Sequence, residues 1–201
     1  METNNTKNSD SIELNFEKEV TAAFEFLVTQ YNFKVVLTRA TYVRYECKDL
    51  FVDIYHGRLS NELGIEIGLL TKATGEEKGY TISELMRLSE EEKADQFMRP
   101  IANTPQKIKN GLIMLSSLLK QYGHEVLLGN LHIFDKLRLN RIQWNARFAH
   151  DLYVKQIKEK ASIAFSQKKF SEAVRSYESI LDDLLPIEQK KLEYARQKMK
   201  R

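Results

Sequence analysis

Between Phe16 and Leu70 the apolar residues change their spacing once, from about 3.6 to 2, and one class of secondary structure cannot serve both periods. Phe16, Val20, Ala23, Phe24, Leu27 and Val28 form a single stripe at helical period, which predicts an N-terminal helix. It should end near Tyr31-Asn32, because Asn tolerates the left-handed conformation that closes a helix. Beyond it the period is two. Phe33, Val35 and Leu37 alternate with Lys34 and Val36, and Val43, Tyr45 and Cys47 with Tyr42, Arg44 and Glu46. Leu50, Val52 and Ile54 alternate with Phe51, Asp53 and Tyr55, and Leu63, Ile65, Ile67 and Leu69 with Gly64, Glu66, Gly68 and Leu70. Four strands separated by a few residues predict an antiparallel meander with one buried face. The tight connections are Lys48-Asp49 and "HGRLSN" at 56–61.

A strand sends alternate side chains to opposite faces, so this register separates two surfaces. Val43, Cys47, Leu50, Val52, Ile54, Ile65 and Ile67 form the aliphatic face expected under the helix. Tyr42, Arg44, Glu46, Phe51, Asp53, Tyr55 and Glu66 share the other. That face mixes aromatics with both charge signs, which suits a surface covered by the chain's own helices or by a partner.

All eight glycines lie between Gly57 and Gly129, and Pro186 is the only proline after Leu131, so the last third should be almost wholly helical. Thr81 with Glu84 spells a capping box, with Tyr80 and Leu85 at the staple positions. Ser89 with Glu92 spells a second box, and Thr104-Pro105 a third helix start. Ile108, Leu112, Leu115, Leu118, Leu119 and Tyr122 form a stripe stopped by Gly123, with a short helical turn, "EVLLGN", after it. A long helix comes next, with Phe134, Leu137, Trp144 and Phe148 expected in its core. The expected fold is therefore α+β: an N-terminal helix on a four-stranded antiparallel sheet, then a mostly helical C-terminal half. Residues 1–14 read as a flexible tail, 15–99 as the α+β domain and 100–201 as the helical region.

The stretch 155–188 resembles one tetratricopeptide-type helical hairpin. Ala161, Ala173 and Tyr177 match its small and aromatic positions, "QKKF" at 167–170 its turn and Pro186 its closing proline. Ile180 and Ala164 depart from the pattern, and no second copy is present. The resemblance implies helix packing more than a peptide groove.

Signatures of chemistry are missing. There is no phosphate-binding G-x-x-x-x-G-K-[ST] or G-x-G-x-x-G, no H-E-x-x-H and no G-x-S-x-G. "GIEIG" lies within a strand pattern. Asp53 and Glu66 are similar to the acidic pair of restriction-type nucleases, but Gly68 stands where their lysine should be. His56, His124, His132 and His150 share no helical spacing, so no metal site and no cofactor are expected. Asp53 and His56, with Arg58 or Glu66, remain the residues a hydrolase would have to use. Cys47, the only cysteine, falls on the aliphatic face, excludes an internal disulfide and fits a reducing cytoplasm. The N-terminal stretch is polar with no apolar core, so no secretory signal is expected, and no apolar run approaches membrane-spanning length.

Charge is split along the chain. Residues 1–98 carry eleven Lys and Arg against eighteen Asp and Glu, and residues 99–201 carry twenty against ten. Lys136, Arg138, Arg141 and Arg147, around Trp144, are the candidates for nucleic-acid binding. The preferred expectation is a non-catalytic, cytoplasmic protein-binding module. Its candidate contacts are Tyr42, Phe51 and Tyr55 as anchors, with Arg44, Asp53, Arg58 and Glu66 as orienting charges. In outline such a chain is similar to small immunity proteins, compact inhibitors built around a sheet, a likeness of architecture alone.

Overall fold

A computed structural model describes residues 16–70 and 79–199; the expected tail, 1–14, lies outside them. The chain forms two compact units, Met1–Asn140 and Arg141–Arg201. The first is α+β. Helical residues 16–23 (α1) and α2 (Glu25–Tyr31) precede β1 (Lys34–Arg39), β2 (Tyr42–Cys47), β3 (Leu50–His56) and β4 (Leu63–Leu69). A fifth strand, β5 (Gly79–Thr81), comes after them, and the sheet is antiparallel in the order β1-β2-β3-β4-β5. The expected sheet of four strands thus gains one. β5 has three residues and runs straight into a helix cap, too short to print an alternation in the sequence.

The N-terminal stripe is interrupted. Phe24 leaves helical geometry (φ −111°, ψ 15°), and the turn rotates α2 relative to α1, burying Phe26 and Leu27 and leaving Val28 44% exposed. At the break the Ala23 carbonyl takes a hydrogen bond from the Ser116 hydroxyl at 2.7 Å. The helix does close at Asn32, whose φ of 59° is left-handed. β1 departs from plain alternation too. A bulge at Val36 sets Val35 opposite Tyr45 but Leu37 opposite Arg44, so these two residues face opposite sides of the sheet.

The aliphatic face is the core face. Phe16, Val20, Phe24 and Leu27 pack there with Val43, Tyr45, Val52, Ile54, Ile65 and Ile67. α3 (Ile82–Arg87) closes over the same cluster, α4 (Glu91–Gln96) packs against α3, and α5 (Pro105–Tyr122) and α6 (His124–Leu127) cover the cluster further. α3 starts with the expected Thr81–Glu84 box, the Thr81 amide donating to Glu84 Oε2 at 2.9 Å. The second expected box does not form: Glu90 precedes α4, and the Ser89 hydroxyl donates to the Met86 carbonyl. α5 is capped by Thr104, which accepts from the Lys107 amide, and it buries Ile108, Leu112, Leu115 and Leu119 completely.

α7 (His132–Ser166) is 35 residues long. Phe134 and Leu137 at its start belong to the first core. Trp144 and Phe148 do not join a core: Phe148 is 56% exposed, and the two rings stack on each other with centroids 5.3 Å apart. In the second unit the end of α7 packs with α8 (Phe170–Glu178), a 3₁₀ turn (Leu181–Asp183) and α9 (Pro186–Met199). Ala161, Ala173, Tyr177, Ile180, Leu192 and Ala195 form its buried centre. Lys168, with φ 60°, makes the turn between α7 and α8 and lets the Lys169 amide return to the Ala164 carbonyl at 2.9 Å.

Candidate functional site

The turn at Lys48-Asp49 pairs Cys47 with Leu50, and that one choice fixes the mixed face. Tyr42 falls opposite Tyr55, Arg44 opposite Asp53 and Glu46 opposite Phe51. Arg44 holds Asp53 with two hydrogen bonds, Nε to Oδ1 at 2.7 Å and Nη2 to Oδ2 at 2.8 Å. The same Nε donates to the Tyr42 hydroxyl at 3.0 Å, and Glu46 stands 3.9 Å from Nη1. The guanidinium lies over the Phe51 ring, 4.5 Å from its centroid. Phe51 is only 2% exposed although it stays outside the core cluster on the other face. A planar cation covering a ring and gripping a carboxylate in fork geometry is held in one conformation.

The glycines of "GIEIG" acquire a purpose here. Gly64 lies opposite Tyr55 and Gly68 opposite Phe51, so each aromatic of β3 on this face meets a residue with no side chain. A Cβ on Gly64 would come within 2.3 Å of the Tyr55 ring. Tyr55 therefore lies across Gly64, and its hydroxyl donates to Glu66 Oε1 at 3.4 Å. Burial, with the nearby Asp53 second, pushes the Tyr42 phenol up to about 12, and burial raises Tyr55 as well. Both are neutral near pH 7 and serve as hydrogen-bonding groups rather than as bases.

Tyr42, Arg44, Phe51 and Asp53 thus form one network, with Tyr55 and Glu66 beside it. Arg58, beyond β3, lines a shallow groove with Leu37, Arg39, Thr41, Tyr42 and Arg44. Leu37, Arg39 and Thr41 are the members that sequence reasoning missed. The signal was present in the short Ala40-Thr41 connection, which sets Arg39 opposite Tyr42 and so places it on the mixed face.

The residues weighed for hydrolysis do not converge. Asp53 and Glu66 oppose each other on the mixed face, whereas His56, three residues after Asp53, projects from the core face. There it is 7% exposed, stacks on Phe16 and donates from Nε2 to the Ala102 carbonyl at 2.8 Å. Cys47 is partly buried. Among the described residues no three His, Cys, Asp or Glu side chains cluster as metal ligands, and no helix is long and apolar enough to cross a membrane. Of the basic candidates, Lys136 and Arg138 belong to the first unit, where Arg138 reaches Asp135 at 3.7 Å. Arg141 and Arg147 belong to the second. Comparison with protein-family models, curated proteins and solved structures found no match to this chain.

Proposed function

We propose that the protein is a non-catalytic protein-binding module, inhibitor- or immunity-like in kind, that docks through the β1–β2 end of its sheet. The observation that carries this reading is β1 itself. Among the described residues it is an edge strand, and Val35, Val36 and Leu37 on it are 46%, 50% and 37% exposed. β1 carries devices that blunt natural edges, the bulge at Val36 and the cations Lys34 and Arg39, yet three successive aliphatic residues between them stay exposed, which suits a surface meant to be covered. Arg39, Tyr42, Arg44 and Arg58 lie beside them, and Tyr and Arg are the residue types that most often dominate interface energies. Arg44 is already held by Asp53 and Phe51, so binding through it costs little side-chain entropy. Phe51 and Asp53 act from below, by fixing Arg44. Tyr55 and Glu66 stand at the margin. The cytoplasm is the compartment this reading assigns, since a chain with one cysteine relies on no disulfide.

The test is capture of partners from the native source after nuclease treatment, comparing the wild-type chain with Leu37→Lys, Tyr42→Ala and Arg58→Glu. One protein recovered in near-stoichiometric amount by the wild type and lost from all three folded variants is the expected result. Equal recovery by the variants would overturn the docking face. Recovery of no protein, with nucleic acid co-purifying when nuclease is omitted, would move the function to Lys136, Arg138, Arg141 and Arg147. Steep weakening with salt would then accompany binding.

A further inference from the structure

Resting on that docking reading, we propose that β1 receives an added strand from the partner: an extended, apolar segment with acidic residues at both ends. Among the described residues β1 pairs with β2 alone, so its outer side presents backbone donors and acceptors in strand geometry. Adding a strand to such an edge is a recurrent way to bind an extended peptide, with main-chain hydrogen bonds supplying the affinity.

The side chains along β1 say what that strand should look like. Its six residues begin with Lys34 and end with Arg39, both exposed, and the three aliphatic residues lie between. The bulge at Val36 turns Val35 and Leu37 to opposite faces, so an incoming strand meets apolar neighbours on both sides of the sheet. Its centre should therefore be continuously apolar rather than alternating. The flanking cations favour acids, most of all at the Arg39 end, where Arg58 shares the groove, because Lys34 already lies opposite Glu46.

The same charges argue against a second copy of this chain. In an antiparallel pairing centred between Val36 and Leu37, Lys34 of each copy opposes Arg39 of the other. In a parallel in-register pairing Lys34 meets Lys34 and Arg39 meets Arg39. Like charges directly opposite each other are destabilising in a sheet, whereas carboxylates in those places are attractive. In these two registers the edge repels a second copy and accepts an acidic strand.

The test uses the full chain and fluorescent peptides read by anisotropy. One peptide has a Val-Ile-Val centre flanked by two glutamates on each side, a second has lysines instead, and a third is the glutamate peptide with alternate backbone nitrogens methylated. The glutamate peptide is expected to bind the wild type at least about tenfold more tightly than the lysine peptide, since two charge contacts change sign. The double variant Lys34→Glu/Arg39→Glu should reverse that order, and methylation on the pairing edge should abolish binding. Equal affinity for both charge forms, no reversal, or full binding of the methylated peptide would overturn strand addition. If the peptides fail while partner capture is still lost in Tyr42→Ala and Arg58→Glu, strand addition falls and the docking face stands. If capture is also indifferent to those variants, both fall.

Discussion

Replacing Arg44 with methionine separates a structural network from a decorative one. Arg44 and Asp53 have side chains 19% and 11% exposed, and their two hydrogen bonds are 2.7 and 2.8 Å long. In Arg44→Met the Asp53 carboxylate keeps its burial, loses both bonds and still faces Glu66 across the β3–β4 ladder. Breaking a buried pair costs about 3–5 kcal/mol, and the residual exposure here places the loss at the lower end. Uncovering Phe51 adds roughly 0.5–1 kcal/mol. The expected total is about 3.5–4 kcal/mol. The assay is urea unfolding by circular dichroism, with hydrogen exchange of the β2 and β3 amides to confirm that the loss lies in the first unit. Arg44→Met/Asp53→Leu should recover most of it, because an apolar pair in place of a buried ion pair leaves no orphaned charge. A loss below about 0.5 kcal/mol in the single variant, or no recovery in the double, would refute the reasoning, since a solvated surface pair behaves that way.

Three other sites give definite expectations. Among the described residues the Tyr45 hydroxyl is buried without a hydrogen-bond partner, and burial pushes its phenol up to about 12 although the nearby Thr21 hydroxyl acts in the opposite direction. Tyr45→Phe should raise the unfolding free energy by up to about 1–2 kcal/mol, and a loss of stability would show the hydroxyl is satisfied. Gly64→Ala should cost about 1–3 kcal/mol by displacing Tyr55, and much less in a Tyr55→Ala background, as a thermal-melt double-mutant cycle reads directly. In the second unit burial pushes the Glu188 carboxyl up, but the Lys158 ammonium at 2.8 Å and the Leu185 amide outweigh it and hold it below the usual range. The charged form is favoured on folding, so this stability is present above the ordinary carboxylate value, near 4.5, and lost as pH falls through the lowered folded value. Glu188→Gln should be less stable at pH 7 and lose less on acidification; an unchanged pH profile would contradict the ion pair's role.

Much of the fold was legible because it rests on local chemistry. Asn32 closes the N-terminal helix in the left-handed conformation, Thr81 and Glu84 cap α3, and strict alternation sorted the residues of β2, β3 and β4 onto their two faces. The features that the sequence concealed depend on contacts distant in the chain. Nothing in the stripe from Phe16 to Val28 marks the turn at Phe24, which is accommodated by a hydroxyl from α5. The bulge at Val36 leaves no glycine behind it, and β5 exists only because β4 is there to pair with it. Trp144 and Phe148 share the helical phase of Leu137, but phase cannot say where along a 35-residue helix the core ends. For the site, register alone showed which residues share the mixed face. It also carried the separation of His56 from Asp53, since residues three apart on a strand point to opposite sides. It could not show that Arg44 is spent on holding Asp53 and covering Phe51, because that depends on side-chain conformation rather than spacing.

Hydrogen exchange of the full chain, alone and in complex with its captured partner, tests the docking face most directly. Slowed exchange concentrated in residues 34–44, together with Arg58 and its neighbours, is the expected result. Protection confined to α7, α8 and α9, with the β1 amides exchanging as fast as before, would contradict it.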